Sequence, residues 1–427
     1  MVSQVQFVGN LDVKILQSAT LHFSPMIPSG FSSLRPSVRS ACCRLSNYQT
    51  STVRTYKVLA IETSCDDACV SILDRYSKDE PPIVLEEHKL TLDSIKAGGV
   101  VPTDAANHNR KSISLLVKQV VEKNNFDTTP PDLICATRGP GMVGSLASGL
   151  TLAIGLSVAW NKPLVGVHHM LGHLLIPRLK SNGAQPSYPF LSLLVSGGHT
   201  IVVLSKSLLE HEILVDTLDI AAGDAIDKCG RELGIRGNMI GKELEVFLNN
   251  NKDQWNQEIK FDMKEPMQNQ WDRKDVLAYS FAAFNSQVKS SLKKYHNGEI
   301  PKDEKIVARM AHLTMKTIFK HLISKINLAI KLNKDKMKGV TDFVCSGGVG
   351  SNILLREMLQ ESLTKNGIKN FHFPEPRLCT DNATMIGWAG IELYEDAKLT
   401  TDVGTTVFRK WPIDKILDVD GWIKNNE

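Results

Sequence analysis

Acidic residues are almost missing from the first 55 positions of this sequence. Asp12 stands alone there against Lys14, Arg35, Arg39, Arg44 and Arg54, with serines at Ser29, Ser32, Ser33, Ser37 and Ser40. An Arg- and Ser-rich, acid-poor start reads as a disordered mitochondrial transit segment over residues 1–55, addressed to the matrix. Net charge is scarce as well: the whole chain carries a formal +4, which the leader's excess of basic residues already supplies. The remainder is near neutral, which excludes a global basic field, so any nucleic acid must be met by a local patch. Paired cysteines are lacking too. Cys42, Cys43, Cys65, Cys69, Cys135, Cys229, Cys345 and Cys379 are scattered, and only Cys65-x-x-x-Cys69 in the body has metal-like spacing. With no second pair there is no zinc framework, and free thiols in a reducing compartment are expected. A single stretch, Met142 to Trp160, is long and uncharged. Its glycines and serines make it weakly apolar for lipid, so a buried helix and no membrane contact are expected.

What is present reads as an α/β chain in two lobes, since 427 residues exceed one ordinary core. Lys57–Ile61 and Ala68–Leu73 are apolar strand runs joined by Glu62-Thr63-Ser64-Cys65-Asp66-Asp67, a hairpin whose tip presents Thr63, Ser64, Asp66 and Asp67. The design recurs at Leu191–Val195, Ser196-Gly197-Gly198 and His199–Leu204. A third strand runs from Phe343 into Ser346-Gly347-Gly348-Val349-Gly350-Ser351-Asn352 and opens a helix at Ile353, with Ser351 or Asn352 as N-cap. Lys111–Lys123 and Ile306–Leu332 carry helical periodicity. Residues 249–274 are polar and aperiodic and read as a mobile insertion, and Trp422–Glu427 as a polar tail. The first lobe is placed at 56–165 plus about 386–420, the second at 166–385.

Glycine-rich turns after strands let phosphate reach backbone N–H groups, and a helix N-terminus adds partial positive charge. Three such segments occur: Gly139-Pro140-Gly141, Ser196-Gly197-Gly198 and Ser346–Gly350. His169 and His173 stand four apart, on one face of a helix, where two imidazoles can bind one divalent ion. Asp381, in Leu378-Cys379-Thr380-Asp381-Asn382, is the best third ligand. The neighbouring His168 points elsewhere and is read as a packed or hydrogen-bonded histidine. A zinc protease needs a glutamate directly after the first histidine, and Met170 stands there. From the residues alone, an ATP-dependent kinase or ATPase and a nucleotide-holding binding module remain open beside a transferase, with a metalloprotease less favoured.

At these motifs the chain resembles the tRNA threonylcarbamoyltransferases of the TsaD family, from about Val58 to Leu393. The resemblance is carried by Ile61–Asp67, Gly98-Gly99-Val100-Val101-Pro102, Gly139-Pro140-Gly141, His168–His173, Leu194–Thr200, Ala221–Lys228, Ser346–Asn352 and Cys379–Asn382. With the leader it is similar to the mitochondrial branch, of fungal divergence. The resemblance implies an actin-like (RNase H-like) fold with two lobes around a nucleotide and metal cleft. It implies transfer of a threonylcarbamoyl group from threonylcarbamoyl-AMP, made by a separate synthase, to N6 of adenine 37 in tRNAs reading ANN codons. It implies one divalent metal ion, zinc or iron first, on His169, His173 and Asp381, and adenylate contacts at Leu194, Val195, Ser196, Gly197, Gly198, Asp227 and Asn352, with Gly241 or Ile240 beside them. Asp66 or Asp67, Asp66 preferred, is the candidate base for the N6 proton. By resemblance the protein is a homodimer.

The sequence departs from the family pattern in places. Leu171 replaces a usual glutamate, Ala106-Asn107 a Ser-Arg pair, Asn238–Gly241 a Pro-Gly-Gly turn, and Ala282-Ala283-Phe284-Asn285 a Ser-Gly-Leu-Lys run. Two basic stretches are candidates for phosphate contact: Lys289, Lys293, Lys294, Lys302, Lys305 and Arg309, and Lys331, Lys334, Lys336 and Lys338.

Overall fold

The apolar runs after Tyr56 open a three-strand meander, β1 (Tyr56–Glu62), β2 (Asp67–Arg75) and β3 (Ile83–Thr91). The helix α1 (Pro102–Asn124) leads to β4 (Leu133–Gly139), and α2 (Val143–Trp160) to β5 (Leu164–His168). The sheet order is β3-β2-β1-β4-β5, antiparallel within the meander and parallel from β1 to β5. The computed structural model describes residues 55–78, 80–179, 185–267 and 275–425. Apart from Thr55, the expected leader lies outside the described residues.

After α3 (His169–Leu175) the plan repeats. A second meander, β6 (Phe190–Val195), β7 (Thr200–Ser205) and β8 (His211–Thr217), is followed by α4 (Ala222–Glu232), α5 (Ile240–Asn250) and the short β9 (Ala278–Tyr279). Helices α6 (Ala282–His296) and α7 (Glu304–Leu332) precede β10 (Asp342–Ser346), α8 (Ile353–Thr364) and β11 (Asn370–His372). The sheet order is β11-β10-β6-β7-β8-β9, with β10 parallel to β6 and β11 parallel to β10. In each sheet the first hairpin strand is central, flanked by its antiparallel partners on one side and two parallel strands on the other. This duplication is the actin-like arrangement.

The chain closes through α9 (Pro376–Cys379), α10 (Ala383–Glu395), β12 (Leu399–Thr401) and β13 (Trp422–Lys424). The core follows the strand patterns. β1 is buried from Val58 to Glu62, as a central strand covered on both faces must be. One face of the first sheet packs on α1 and α2 through Ile113, Leu150 and Ala153. Its other face meets α3 and α10 in a cluster that also holds Leu194, Ile201 and Val203 of the second sheet. The two sheets are thus joined by an apolar layer made of the helices that carry the histidines and follow Asp381. The expected division at residues 165/166 falls inside β5, which is hydrogen-bonded to β4.

Three local expectations change. The described part of the insertion is tied down rather than loose. Trp255 stacks on His312 at 4.4 Å and 12°. Arg309 donates to the carbonyls of Trp255 and Gln257, and the backbone of Asp262 exchanges two hydrogen bonds with the Ser291 hydroxyl. Residues 268–274 lie outside the described residues. The helix α2 is not fully buried: only a third of it is enclosed, with Val143 49% and Val158 62% exposed. The expected polar tail contains β13, which pairs antiparallel with β12.

Because Trp255 anchors an otherwise irregular segment, Trp255→Ala is expected to cost about 2 kcal/mol in denaturant unfolding. It should also open residues 255–263 to limited proteolysis; resistance equal to wild type would contradict the anchoring role.

Candidate functional site

The two histidines are placed by a strand end and a short helix. Where β5 ends, the His168 imidazole accepts the Met170 N–H at 3.1 Å, capping α3, and its Nε2 lies 2.8 Å from the Trp411 carbonyl oxygen. Burial depresses its pKa to about 3. This histidine is structural, as expected. One helical turn then sets His169 and His173 side by side, ring centroids 4.9 Å apart. Both Nε2 atoms face one oxygen of Asp381, at 3.6 Å from His169 and 3.2 Å from His173.

Asp381 is held there from behind. Asn382 caps α10 through the Met385 N–H at 2.8 Å and donates to the Thr380 and Leu378 carbonyls. Lys89 of β3 donates to the Asp381 carbonyl at 3.1 Å while its ammonium lies 2.5 Å from Asp67. Burial raises the Asp381 carboxyl, but His169 and His173 outweigh it and hold it well below the usual carboxylate range.

The ligand atoms of His169, His173 and Asp381 lie within 4.8 Å of one another. Two imidazole nitrogens and a carboxylate suit zinc, iron(II) or manganese. The fit extends behind the ligands. Glu62, wholly buried, takes hydrogen bonds from the Ser64 N–H at 2.6 Å and the Thr137 hydroxyl, and lies 3.3 Å from Nδ1 of His169. A carboxylate on the far nitrogen fixes the tautomer of a ligating imidazole. Burial lowers the His169 pKa, yet Glu62 and Asp381 more than offset it and leave it at about 9. Among the described residues, Nδ1 of His173 is buried without a hydrogen-bond partner.

The glycine turns divide. Ser196–Gly198 and Gly348–Ser351 lie against each other at the ends of β6 and β10. Gly347 has φ +96°, and a Cβ there would stand 2.3 Å from the Val195 carbonyl oxygen. A Cβ at Gly223 of α4 would stand 2.6 Å from the Ser196 carbonyl oxygen, to which the Gly223 N–H donates at 3.1 Å. Gly197 and Gly198 are exposed, while Leu194 and Val195 are buried side chains that offer only backbone to a ligand. Gly348 lies beside Thr380, the neighbour of Asp381, so these turns open toward the His/Asp cluster. Gly139-Pro140-Gly141 is used differently: Gly139 packs on the Phe408 carbonyl and Gly141 on the Ser64 carbonyl, so it supports the hairpin tip from behind.

The remaining candidates are differently committed. Asp67 accepts from Thr91 Oγ1 at 2.5 Å as well as from Lys89; burial outweighs the lysine and raises it to about 6. Asp66 is partly exposed at the hairpin tip. Asp227 accepts the Gly241 N–H at 2.9 Å and sits 4.0 Å from Arg231; burial raises its pKa against both. Ile240 is buried, leaving the Gly241 backbone as the member of that pair that reaches Asp227. The Asn352 amide caps α8 through the Leu355 N–H at 3.1 Å and points its Nδ2 at Met315 Sδ at 3.6 Å. Glu62, Lys89 and Asn382 carried no metal-like spacing in the sequence. His199, whose ring centroid is 6.2 Å from that of His169, is held by burial to a pKa of about 4 and is neutral beside the cluster.

The chain matches the family described as TsaD, tRNA N6-adenosine threonylcarbamoyltransferase, over residues 84–388. It is 36% identical over 385 residues to the Schizosaccharomyces pombe protein named tRNA N6-adenosine threonylcarbamoyltransferase, mitochondrial, covering 87% of this chain and 90% of that one. It is 36% identical over 340 residues to the Thermosipho africanus protein named tRNA N6-adenosine threonylcarbamoyltransferase, covering 79% of this chain and 94% of that one.

Two expectations follow for a divalent ion at the cluster. Glu62→Gln should weaken its binding roughly 10–100-fold, read by competition with a chromophoric chelator; unchanged affinity would remove Glu62 from the site. His169 keeps its proton up to about pH 9, and the ion must displace it. Affinity is therefore expected to rise about tenfold per unit as pH climbs from 6 toward 9, and a flat profile would contradict this.

Proposed function

The chain belongs to the TsaD family of tRNA N6-adenosine threonylcarbamoyltransferases, and we propose how its residues carry out that reaction and where. It transfers the threonylcarbamoyl group of threonylcarbamoyl-AMP to N6 of adenine 37 in mitochondrial tRNAs that read ANN codons. The supporting observation is the His169–His173–Asp381 cluster facing the paired turns of the second sheet. The metal residence, the adenylate contacts, the base and the dimer described below are part of this reading.

His169, His173 and Asp381 hold one divalent ion, zinc or iron, which when bound supplies positive charge and Lewis acidity to the acyl-adenylate. The backbone of Ser196–Gly198 and the turn ending at Ser351 receive phosphate, with the α4 N-terminus adding partial positive charge. Asp227 accepts from the ribose hydroxyls. Asn352 shapes the opposite wall through its cap rather than through free donors. The N6 amine attacks the carbamoyl carbon, a C–N bond forms, the C–O bond to phosphate breaks and AMP leaves with the electron pair. The proton lost from N6 passes to Asp66, since both oxygens of Asp67 are already taken by Lys89 and Thr91.

The leader composition and the mitochondrial name of the yeast relative support a mitochondrial, matrix location. A homodimer is supported by the outward faces of α1 and α2, where Leu115 is 64% and Val158 62% exposed. A second copy would cover them.

The mature protein, given threonylcarbamoyl-AMP and tRNA transcript, is expected to form N6-threonylcarbamoyladenosine detectable by mass spectrometry of the digested tRNA. Absence of product would overturn the reading. Asp66→Asn should cut kcat roughly 10²–10⁴-fold, whereas Asp67→Asn should act first on stability; the reverse would move the base to Asp67. Val158→Glu is expected to shift the species seen by light scattering from dimer to monomer, and a wild-type monomer at working concentration would exclude the dimer.

A further inference from the structure

A second cleft adjoins the site, sharing Arg231 and Ile240 with its edge. It encloses about 580 Å³ between the loop after β3 and the elements α4, α5 and α6. That is within the size range of pockets that take small molecules or single nucleotides. Ser94, Gly98 and Gly99 form one wall, and Arg231, Arg236 and Asn238 the other.

The cleft is joined to the reaction centre at both ends. The Asn238 amide oxygen accepts from the N–H of Ser94 at 3.2 Å and from its hydroxyl at 3.0 Å, clasping the two walls together. Two residues earlier, the Leu92 N–H is held by the Asp66 carbonyl at 3.0 Å. At the other end Arg231 lies 4.0 Å from Asp227. This clasp occupies the stretch where the sequence departs from a Pro-Gly-Gly turn, and a proline at 238 would have no amide to make it.

The chemistry of the cleft is two-sided. Arg231 and Arg236 bring two guanidiniums, whose planar forks match phosphate oxygens. Glu232, the acid in the wall, is already paired with Lys289 at 3.1 Å. That pairing brings one lysine of the basic α6 stretch to the cleft rim. Lys294, by contrast, is paired with Asp262, Lys336 with Glu212 and Lys338 with Asp335. Beside the arginines stand Ile95, 56% exposed, and Ile300, 41% exposed, apolar surfaces for a base or ribose. Among the described residues, a side chain at Gly98, Gly99 or Gly298 would meet nothing within 4 Å, so the cleft is open there to a chain running through it.

We propose that this cleft binds a nucleotide flanking the target adenine in the anticodon loop, with Arg236 and Arg231 on its phosphodiester and Ile95 and Ile300 against its base. The proposal rests on tRNA being the acceptor. It assigns the loop contact to these arginines because they line the cleft beside the reaction centre, with Arg236 held in place by donating to the Arg231 and Ile235 carbonyls.

The test compares wild type, Arg236→Glu and, as a surface-charge control, Lys365→Glu, with an unmodified anticodon stem-loop transcript across a salt series. Arg236 is an exposed side chain whose replacement spares the core; retained melting temperature confirms the fold. The expected result for Arg236→Glu is a Kd at least tenfold higher. The slope of log K against log salt should shrink by about 0.7, the share of one single-stranded phosphate contact. KM for threonylcarbamoyl-AMP should be unchanged, and Lys365→Glu should alter none of these. If wild type binds and modifies the transcript while Arg236→Glu matches it in Kd and slope, the cleft assignment alone is overturned. A raised KM for the adenylate with unchanged RNA affinity would give the cleft to the adenylate and overturn it as well. Wild type that neither binds nor modifies the transcript would overturn both this and the acceptor reading.

Discussion

The Glu62 carboxylate has no access to water, so every lone pair it does not share with a donor or a cation is a cost to folding. The chain meets this demand from three elements at once: the Ser64 N–H in the hairpin turn, the Thr137 hydroxyl on β4, and the His169 imidazole at the start of α3. The central strand of the first sheet is thereby tied to its parallel neighbour and to the helix that carries both histidines. The same contact charges His169 and aims its Nε2 at Asp381. Most other placements in the site follow from it. Where His169 is fixed, the helical turn fixes His173. The Asp381 loop, stapled by Asn382 and drawn in by Lys89, then closes the cluster.

The two sheets contribute unlike things to one cleft. The first supplies charge, in Glu62, Asp66, Asp67 and Lys89, together with the histidines that hang from its edge strand. The second supplies backbone, in two turns packed so closely that Gly347 and Gly223 admit no side chain. Their union depends on the apolar layer of α3 and α10, where Leu171, Leu174 and Ile386 meet Leu194 and Val203. A shift in that layer would move the His169–His173–Asp381 cluster and the glycine turns relative to each other, so core packing and the alignment of the cleft are the same constraint.

Much of this was legible in the residues. Short apolar runs on either side of polar turns announced both hairpins. The four-residue spacing of His169 and His173 required only that their segment be helical, and Asp381 was the carboxylate beside a run of small residues able to pack closely. The misreadings have a common cause. Residues 255–263 have no period because Arg309 and Ser291, far along the chain, hold their backbone in place of a ladder. The outer half of α2 is apolar yet uncovered, which composition cannot distinguish from a core helix. Trp422–Lys424 looks like a polar tail because a two-stranded edge ribbon needs little apolar content. Glu62 and Lys89 were in plain view but carried no signal, since their roles depend on partners 107 and 292 residues away.

The sequence by itself determined the ligand types, the turn chemistry and the duplicated strand pattern, because each depends on side chains within a turn or two of one another. Tertiary structure decided which aspartate is spoken for, which glycine turns face the His/Asp cluster, and that a basic, isoleucine-edged cleft opens beside Asp66 and Asp227. Those outcomes depend on distances between segments brought together by the sheet order and by the buried layer between the sheets, and no local pattern encodes such distances.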